Sequence, residues 1–325
     1  MDPEELTGEA LRAAEAAGAS YADARWVREE SEAVTVTDDR VEGLDADDSR
    51  GLGVRVLVDG CWGFAAGALV EGAGAAALGR LAVEIARASA ALPGEPVRLA
   101  PAEPAVATWA TPVAVDPFAV PLAERVGLLL EASTAQRTVA GLAFAKASLD
   151  LWRRRTVFAS SEGARIDQTV TQVGAGIEAG AAGDGDLQRR TWPNSFRGNY
   201  LGGGWELVTA MDLPGNGARV AREALDLLRA PPLPERTTTV ILDGQQIALQ
   251  LHESVGHALE LDRILGMEAG YAGTSFVHPD DRGRLRYGSP LMTVTVDATT
   301  PLGLGTFGFD DEGVPAQRTP LVVDG

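Results

Sequence analysis

Hydrophobic positions recur with two different periods along this chain, and the switches between them predict its elements. Residues 4–18 set Leu6, Leu11 and several alanines at helical spacing, which predicts an amphipathic helix. Period-two stretches follow at Tyr21–Glu29, Glu32–Val41 and Leu52–Val58, and Asp59-Gly60 is a hairpin signal ahead of a further strand at Cys61–Ala66. Ala75–Ala90 returns to helical spacing, with Leu78, Leu81, Ala82 and Ile85 on a stripe expected to face the core and Pro93-Gly94 as its stop. A Pro- and Ala-rich link from Leu92 to Pro121 leads to a helix at Leu122–Arg137. A run of strands from Leu142 to Glu178 then alternates as a sheet with one solvated face does.

Thr191-Trp192-Pro193 and Gly202-Gly203-Gly204-Trp205 combine turn residues with tryptophan; packed tryptophans under a surface loop are the expectation and a groove lining the alternative. Gly217–Arg229 reads as a helix. Pro231-Pro232-Leu233-Pro234 then marks a boundary between an N-terminal domain at 1–233 and a second domain at 234–325. The predicted class is α+β: two domains, mixed or antiparallel sheets with packed helices. In the second domain β-branched Thr237–Leu242 predicts a strand and Asp243-Gly244 a turn and N-cap. Ile247, Leu249, Leu251, Val255, Ala258 and Leu259 then predict a helix of about four turns.

With 45% hydrophobic residues in 325, both domains can bury a core. A single cysteine excludes a disulfide framework and makes a reducing compartment the default. The N-terminus, Met1-Asp2-Pro3-Glu4-Glu5, is acidic and has no apolar run, so neither a signal peptide nor a membrane anchor is legible and a cytoplasmic protein is expected. The charge balance of 28 basic against 46 acidic residues, −18, opposes phosphate backbones and makes nucleic acid an unexpected partner.

The chemistry is concentrated in Leu251-His252-Glu253-Ser254-Val255-Gly256-His257-Ala258-Leu259-Glu260, which holds two of only three histidines in the chain. Neutral imidazole is a common zinc ligand, and a carboxylate beside a ligand is where a metallohydrolase keeps the base that activates water. The familiar H-E-x-x-H spacing puts both histidines on one helix face. Here the spacing is five, and on a regular α-helix positions five apart diverge by roughly 140°. A single wide i→i+5 turn removes the conflict, and Gly256 lies where such a turn would widen. The third histidine, His278, sits in a polar turn and reads as an exposed loop residue. Asp310-Asp311-Glu312-Gly313 reads as a solvated acidic turn.

HESVGHALELD at 252–262, GTFGFDDEGVPAQRTPLVVDG at 305–325 and GLGVRVLVDGCWGFAAG at 51–67 together resemble the TldD/PmbA (TldD/TldE) metallopeptidases, specifically their metal-binding TldD-type subunit. The resemblance runs from about residue 4 to the last residue. It implies zinc held by His252, His257 and a cysteine far downstream, with Glu253 as general base. It implies extended or unfolded peptides as substrates, and a hetero-oligomer with a related TldE/PmbA-type subunit that lacks the motif. The cysteine has no match here: Cys61 lies near the N-terminus and is expected to be a small buried thiol. Family members continue beyond the point corresponding to Gly325, so a C-terminally incomplete chain is expected, with the third ligand outside it and zinc held weakly. Glu260 and Asp262 are the nearest further carboxylates, and Glu260 is expected to support a ligand rather than bind metal. The alternative function is a non-catalytic peptide-binding or assembly subunit.

Overall fold

A computed structural model describes every residue except 69, 92, 93, 184 and 195–197. The helix stop at Pro93 and the start of the link at Leu92 therefore lie outside the described residues. Packing divides the chain into one unit of Met1–Leu228 with Ala298–Ala316 and another of Arg229–Asp297 with Gln317–Gly325. The chain returns to the first unit after the Pro-rich stretch at 231–234, a return that no local sequence signal marks.

In the first unit, α1 (Pro3–Ala16) opens on a capping box of Asp2 and Glu5. Three strands follow, β1 (Tyr21–Thr37), β2 (Arg40–Val58) and β3 (Cys61–Ala68), then α2 (Gly72–Ser89), β4 (Val106–Ala110) and α3 (Leu122–Arg137). Long strands β5 (Leu142–Ser160) and β6 (Arg165–Gly183) precede short β7 (Asp186–Trp192) and β8 (Asn199–Gly202), and α4 (Trp205–Ala210) and α5 (Leu213–Arg229) close the run. The strands form one sheet in the order β3-β2-β1-β5-β6-β4, with β7 and β8 also on β6. Only β4 runs parallel to its neighbour. The class is α+β, as the patterning predicts.

Alternation along the long strands sends their apolar residues to one face, where two cores form. Leu52, Val54 and Val56 of β2 pack with Leu6, Leu11 and Val83 of α1 and α2. Farther along the strands, Val34 and Val36, Leu149 and Leu151, and Val173 and Ile177 pack with Leu129, Val208, Leu213 and Val220 of α3, α4 and α5. Trp205 is buried in this second core, and Trp192 packs against it while its ring N–H donates to the Met211 carbonyl at 2.8 Å. The tryptophans are therefore packing residues.

Several expectations are corrected. β1 is one strand through Glu29-Glu30-Ser31-Glu32, because that polar run pairs in register with Arg154, Arg153, Trp152 and Leu151 of β5, and Arg154 closes an ion pair with Glu29. The turn falls instead at Asp38-Asp39, inside the stretch read as Glu32–Val41; both aspartates have positive φ, and the Asp38 carboxylate accepts from the Ala145 N–H at 3.0 Å. The link contains β4, a strand created by pairing with β6 rather than by its own pattern. Finally, α2 buries Ala75, Gly79, Ala82, Val83 and Ala86 and leaves Leu81 and Ile85 45% and 37% exposed. Small residues face inward because the backbones approach closely: a Cβ on Gly79 would lie 2.3 Å from the Ala10 carbonyl oxygen, and one on Gly63 would lie 2.0 Å from that of Ala82. Cys61, expected to be buried, is only half-buried at the β2–β3 hairpin.

In the second unit Thr237–Leu242 forms no strand. No partner pairs with it among the described residues, and Ile241 is 94% exposed. β9 (Val294–Asp297) and β10 (Arg318–Val322) form an antiparallel pair. No helix among the described residues is long and apolar enough to cross a membrane.

The glycine contacts give opposite signs for one substitution. Replacing a mid-helix glycine by alanine gains about 0.5–1 kcal/mol of backbone entropy, whereas forcing a methyl into a filled contact costs about 1–3 kcal/mol. Gly127→Ala in α3, with nothing within 4 Å of the new methyl, should raise the melting temperature in a thermal denaturation scan, and Gly79→Ala should lower it.

Candidate metal centre

Asp243 caps α6 (Gly244–Leu251), its carboxylate accepting from the Gln246 N–H at 2.8 Å. The helix then widens. His252–Gly256 forms a π turn in which the His257 N–H bonds to the His252 carbonyl, and His257–Leu259 tightens into a 3₁₀ turn. Glu260 leaves helical geometry at ψ 124° and starts the short α7 (Leu261–Ile264). One extra residue in the turn brings positions five apart back onto one side.

The consequence is a cluster. The rings of His252 and His257 stand 4.2 Å apart at 75°. One ligand atom from each of His252, Glu253 and His257 lies within 4.8 Å of the others, and His252 Nε2 is 3.7 Å from a Glu253 oxygen. Gly256 lies inside the turn, and the nearest atom to a Cβ there would be His252 Nδ1 at 4.0 Å. His252 and Glu253 are exposed and His257 is half-buried. Two imidazoles and a carboxylate that converge in this way suit a borderline divalent ion such as zinc.

Neighbouring side chains orient the cluster. His257 Nδ1 lies 2.8 Å from Glu260 Oε1, and Glu260 Oε2 lies 2.5 Å from Arg263 Nε. The hydrogen bond from His257, helped by the Arg263 guanidinium, holds the Glu260 carboxyl below the usual carboxylate range. Arg263 Nη2 also lies 3.1 Å from His257 Nδ1, so this ring nitrogen is held between a carboxylate and a guanidinium while Nε2 stays free of both. Glu260 thus lies beside the pair, in contact with His257, while Asp262 is outside the cluster and accepts from the Arg263 N–H at 2.7 Å. His278 is also outside it and caps the 3₁₀ turn Pro279–Asp281. Two contributors had little or no signal in the sequence. Ser275 donates to the Ala258 carbonyl at 2.6 Å, and the Tyr287 hydroxyl donates to the Ser254 carbonyl within the widened turn. Burial pushes the Tyr287 hydroxyl up, so it stays protonated through the neutral range.

This cluster lies in a stretch, residues 235–325, that matches the family model of the PmbA/TldA metallopeptidase C-terminal domain. Residues 22–86 match domain 1 of the same family, and 115–230 match its central domain. The chain belongs to the PmbA/TldD family. A metalloprotease of Methanocaldococcus jannaschii is 28% identical to this PmbA/TldD chain over 306 residues, 94% of the chain and 64% of the relative. A Synechocystis metalloprotease is 29% identical over 316 residues, 94% of the chain and 63% of the relative. The chain thus spans less than two thirds of these relatives. Among solved structures, a Thermotoga maritima protein superposes with a TM-score of 0.69 at 15% identity, over 99% of this chain and 69% of that one. TldE of Thermococcus kodakarensis gives 0.64 at 14%, over 98% and 68%. These two likenesses show the fold.

The widened turn makes a local prediction. Tyr287→Phe keeps the ring beside Phe276, 5.6 Å away, and removes only the hydroxyl. Amide hydrogen exchange at Gly256–Leu259 should accelerate, while global unfolding shifts by only about 1 kcal/mol. Unchanged exchange there would show that the hydroxyl does not hold the turn.

Proposed function

We propose that this chain is the metal-binding, TldD-type subunit of a cytoplasmic zinc peptidase that hydrolyses extended or unfolded peptides. The observation that carries this reading is the convergence of two imidazoles and a carboxylate on a π turn, in a member of a metallopeptidase family. His252 and His257 would hold the ion, with His257 fixed by Glu260. They are two of the three protein ligands that catalytic zinc usually has. A divalent cation held there supplies Lewis acidity, which polarises a peptide carbonyl and makes water easier to deprotonate.

The chain's own residues do the rest. Glu253 follows the first ligand directly and is not needed as a ligand, so its carboxylate takes the proton of the attacking water. It then gives that proton to the amide nitrogen as the C–N bond breaks, which releases a neutral amine rather than an amide anion. In this reading residues 1–233 wall the substrate cleft, 234–325 carry the metal, and a related TldE/PmbA-type subunit lacking the motif completes the assembly.

The test separates chemistry from binding. In the full gene product Glu253→Gln should retain zinc, measured by atomic absorption, and lose roughly a hundredfold or more in peptide hydrolysis, because glutamine keeps the shape and removes the base. His252→Ala should lose zinc and activity together, and Glu260→Gln should weaken zinc by about 10–100-fold. Full hydrolysis by the Glu253→Gln variant would end this mechanism.

A further inference from the structure

On the sheet face opposite the helices, a groove of about 870 Å³ runs over β5 and β6 beside residues 304–311. One part of it is aromatic. Trp152 of β5 and Tyr200 of β8 stand 5.8 Å apart and tilted by 39°, with Trp152 still 38% exposed. Tyr200 lies flat on the sheet because position 174 is glycine; a Cβ there would come within 1.9 Å of its ring.

A second part already reads polypeptide backbone. Gln168 Oε1 accepts from the N–H groups of Gly308 and Phe309 at 2.8 and 2.9 Å, and its amide donates to the Phe309 carbonyl at 3.0 Å. Gln172 donates to the Leu304 carbonyl at 2.8 Å. Side-chain amides on β6 thus hold a segment of this same chain across the sheet and make it one wall of the groove.

The third feature is charge. The carboxylates of Glu29, Asp47, Asp310 and Asp311 line the groove with Arg153 and Arg154, and both arginines are already engaged by Asp116 and Glu29. A smaller hollow sharing Asp47 and Trp152 adds Asp45, Asp150 and Glu32. Glu29 is paired with Arg154, Glu32 with Arg125 and Asp311 with Arg25, and Asp150 accepts from the Tyr200 hydroxyl. Asp45 and Asp47 keep the balance negative, which favours a cationic occupant and opposes a phosphate backbone.

We infer that this groove binds an extended cationic polypeptide, with an apolar or aromatic side chain on Trp152 and Tyr200 and lysine or arginine side chains toward Asp45 and Asp47. The inference deepens the peptidase reading by naming the charge class of the polypeptide, and it rests on that reading only in taking the bound polypeptide to be substrate. Binding is therefore measured apart from cleavage. Fluorescence anisotropy of the full chain would compare three labelled peptides of equal length, each with a central phenylalanine flanked by lysine, serine or glutamate. The lysine peptide should bind about tenfold or more tighter than the glutamate peptide at low salt, and the gap should shrink as salt rises. Asp45→Lys with Asp47→Lys should bring the lysine peptide to the level of the serine peptide, and Trp152→Ala should weaken all three. Equal affinities, a preference for glutamate, or an unchanged lysine preference in the folded double variant would each overturn the inference. If the double variant fails to fold by circular dichroism, the three peptides on the unaltered chain decide alone. Cleavage without charge preference in binding would sink the groove assignment only; charge-selective binding without cleavage by the full gene product, loaded with zinc and joined to its partner subunit, would sink the peptidase reading only.

Discussion

The register of β1 on β5 is the constraint on which the first unit rests. Side chains alternate with a period of two, so a slip of one residue would turn Val34, Val36, Leu149 and Leu151 out of their core and put Glu29 and Trp152 in their place. Hydrophobic residues cluster toward the two ends of the shared strands, and charges occupy the stretch between. There Arg28, Glu29 and Glu30 stand opposite Arg155, Arg154 and Arg153. Like charges directly opposite are unfavourable, and Arg28 is relieved by Glu30 and Asp48 while Arg155 turns to Asp167. These partly exposed ion pairs are each worth on the order of 1 kcal/mol or less, so they set alignment more than stability.

Much of this fold is legible in the sequence, and the failures share a cause. Helix α1 and the hairpin at Asp59-Gly60 follow from local period and turn chemistry. β4 does not, because Val106–Ala110 becomes a strand only by lying along β6. The inward face of α2 departs from its pattern because apolar size is a poor guide to burial where helices pack closely. Where two backbones approach within reach of a missing Cβ, small residues face inward and Leu81 and Ile85 are left outside.

The candidate metal centre was legible to an unusual degree because the spacing of its histidines conflicts with a regular helix. A five-residue interval between potential ligands demands a local departure, and the chain supplies the π turn between them. Glu260 could be read from its place one turn beyond His257, and Arg263 follows it at helical spacing. Tyr287 could not be read, since its hydroxyl reaches Ser254 across 33 positions and no pattern ties the two together.

The extra residue in that turn also bears on how ligand spacing relates to chain length. A regular helix with histidines four apart and this helix with histidines five apart differ by one inserted amino acid, taken up by the turn itself without disturbing the cap at Asp243 or the exit at Glu260. In genetic terms the two ligand spacings are a single codon apart, and a turn wide enough to absorb that residue leaves the two imidazoles facing each other.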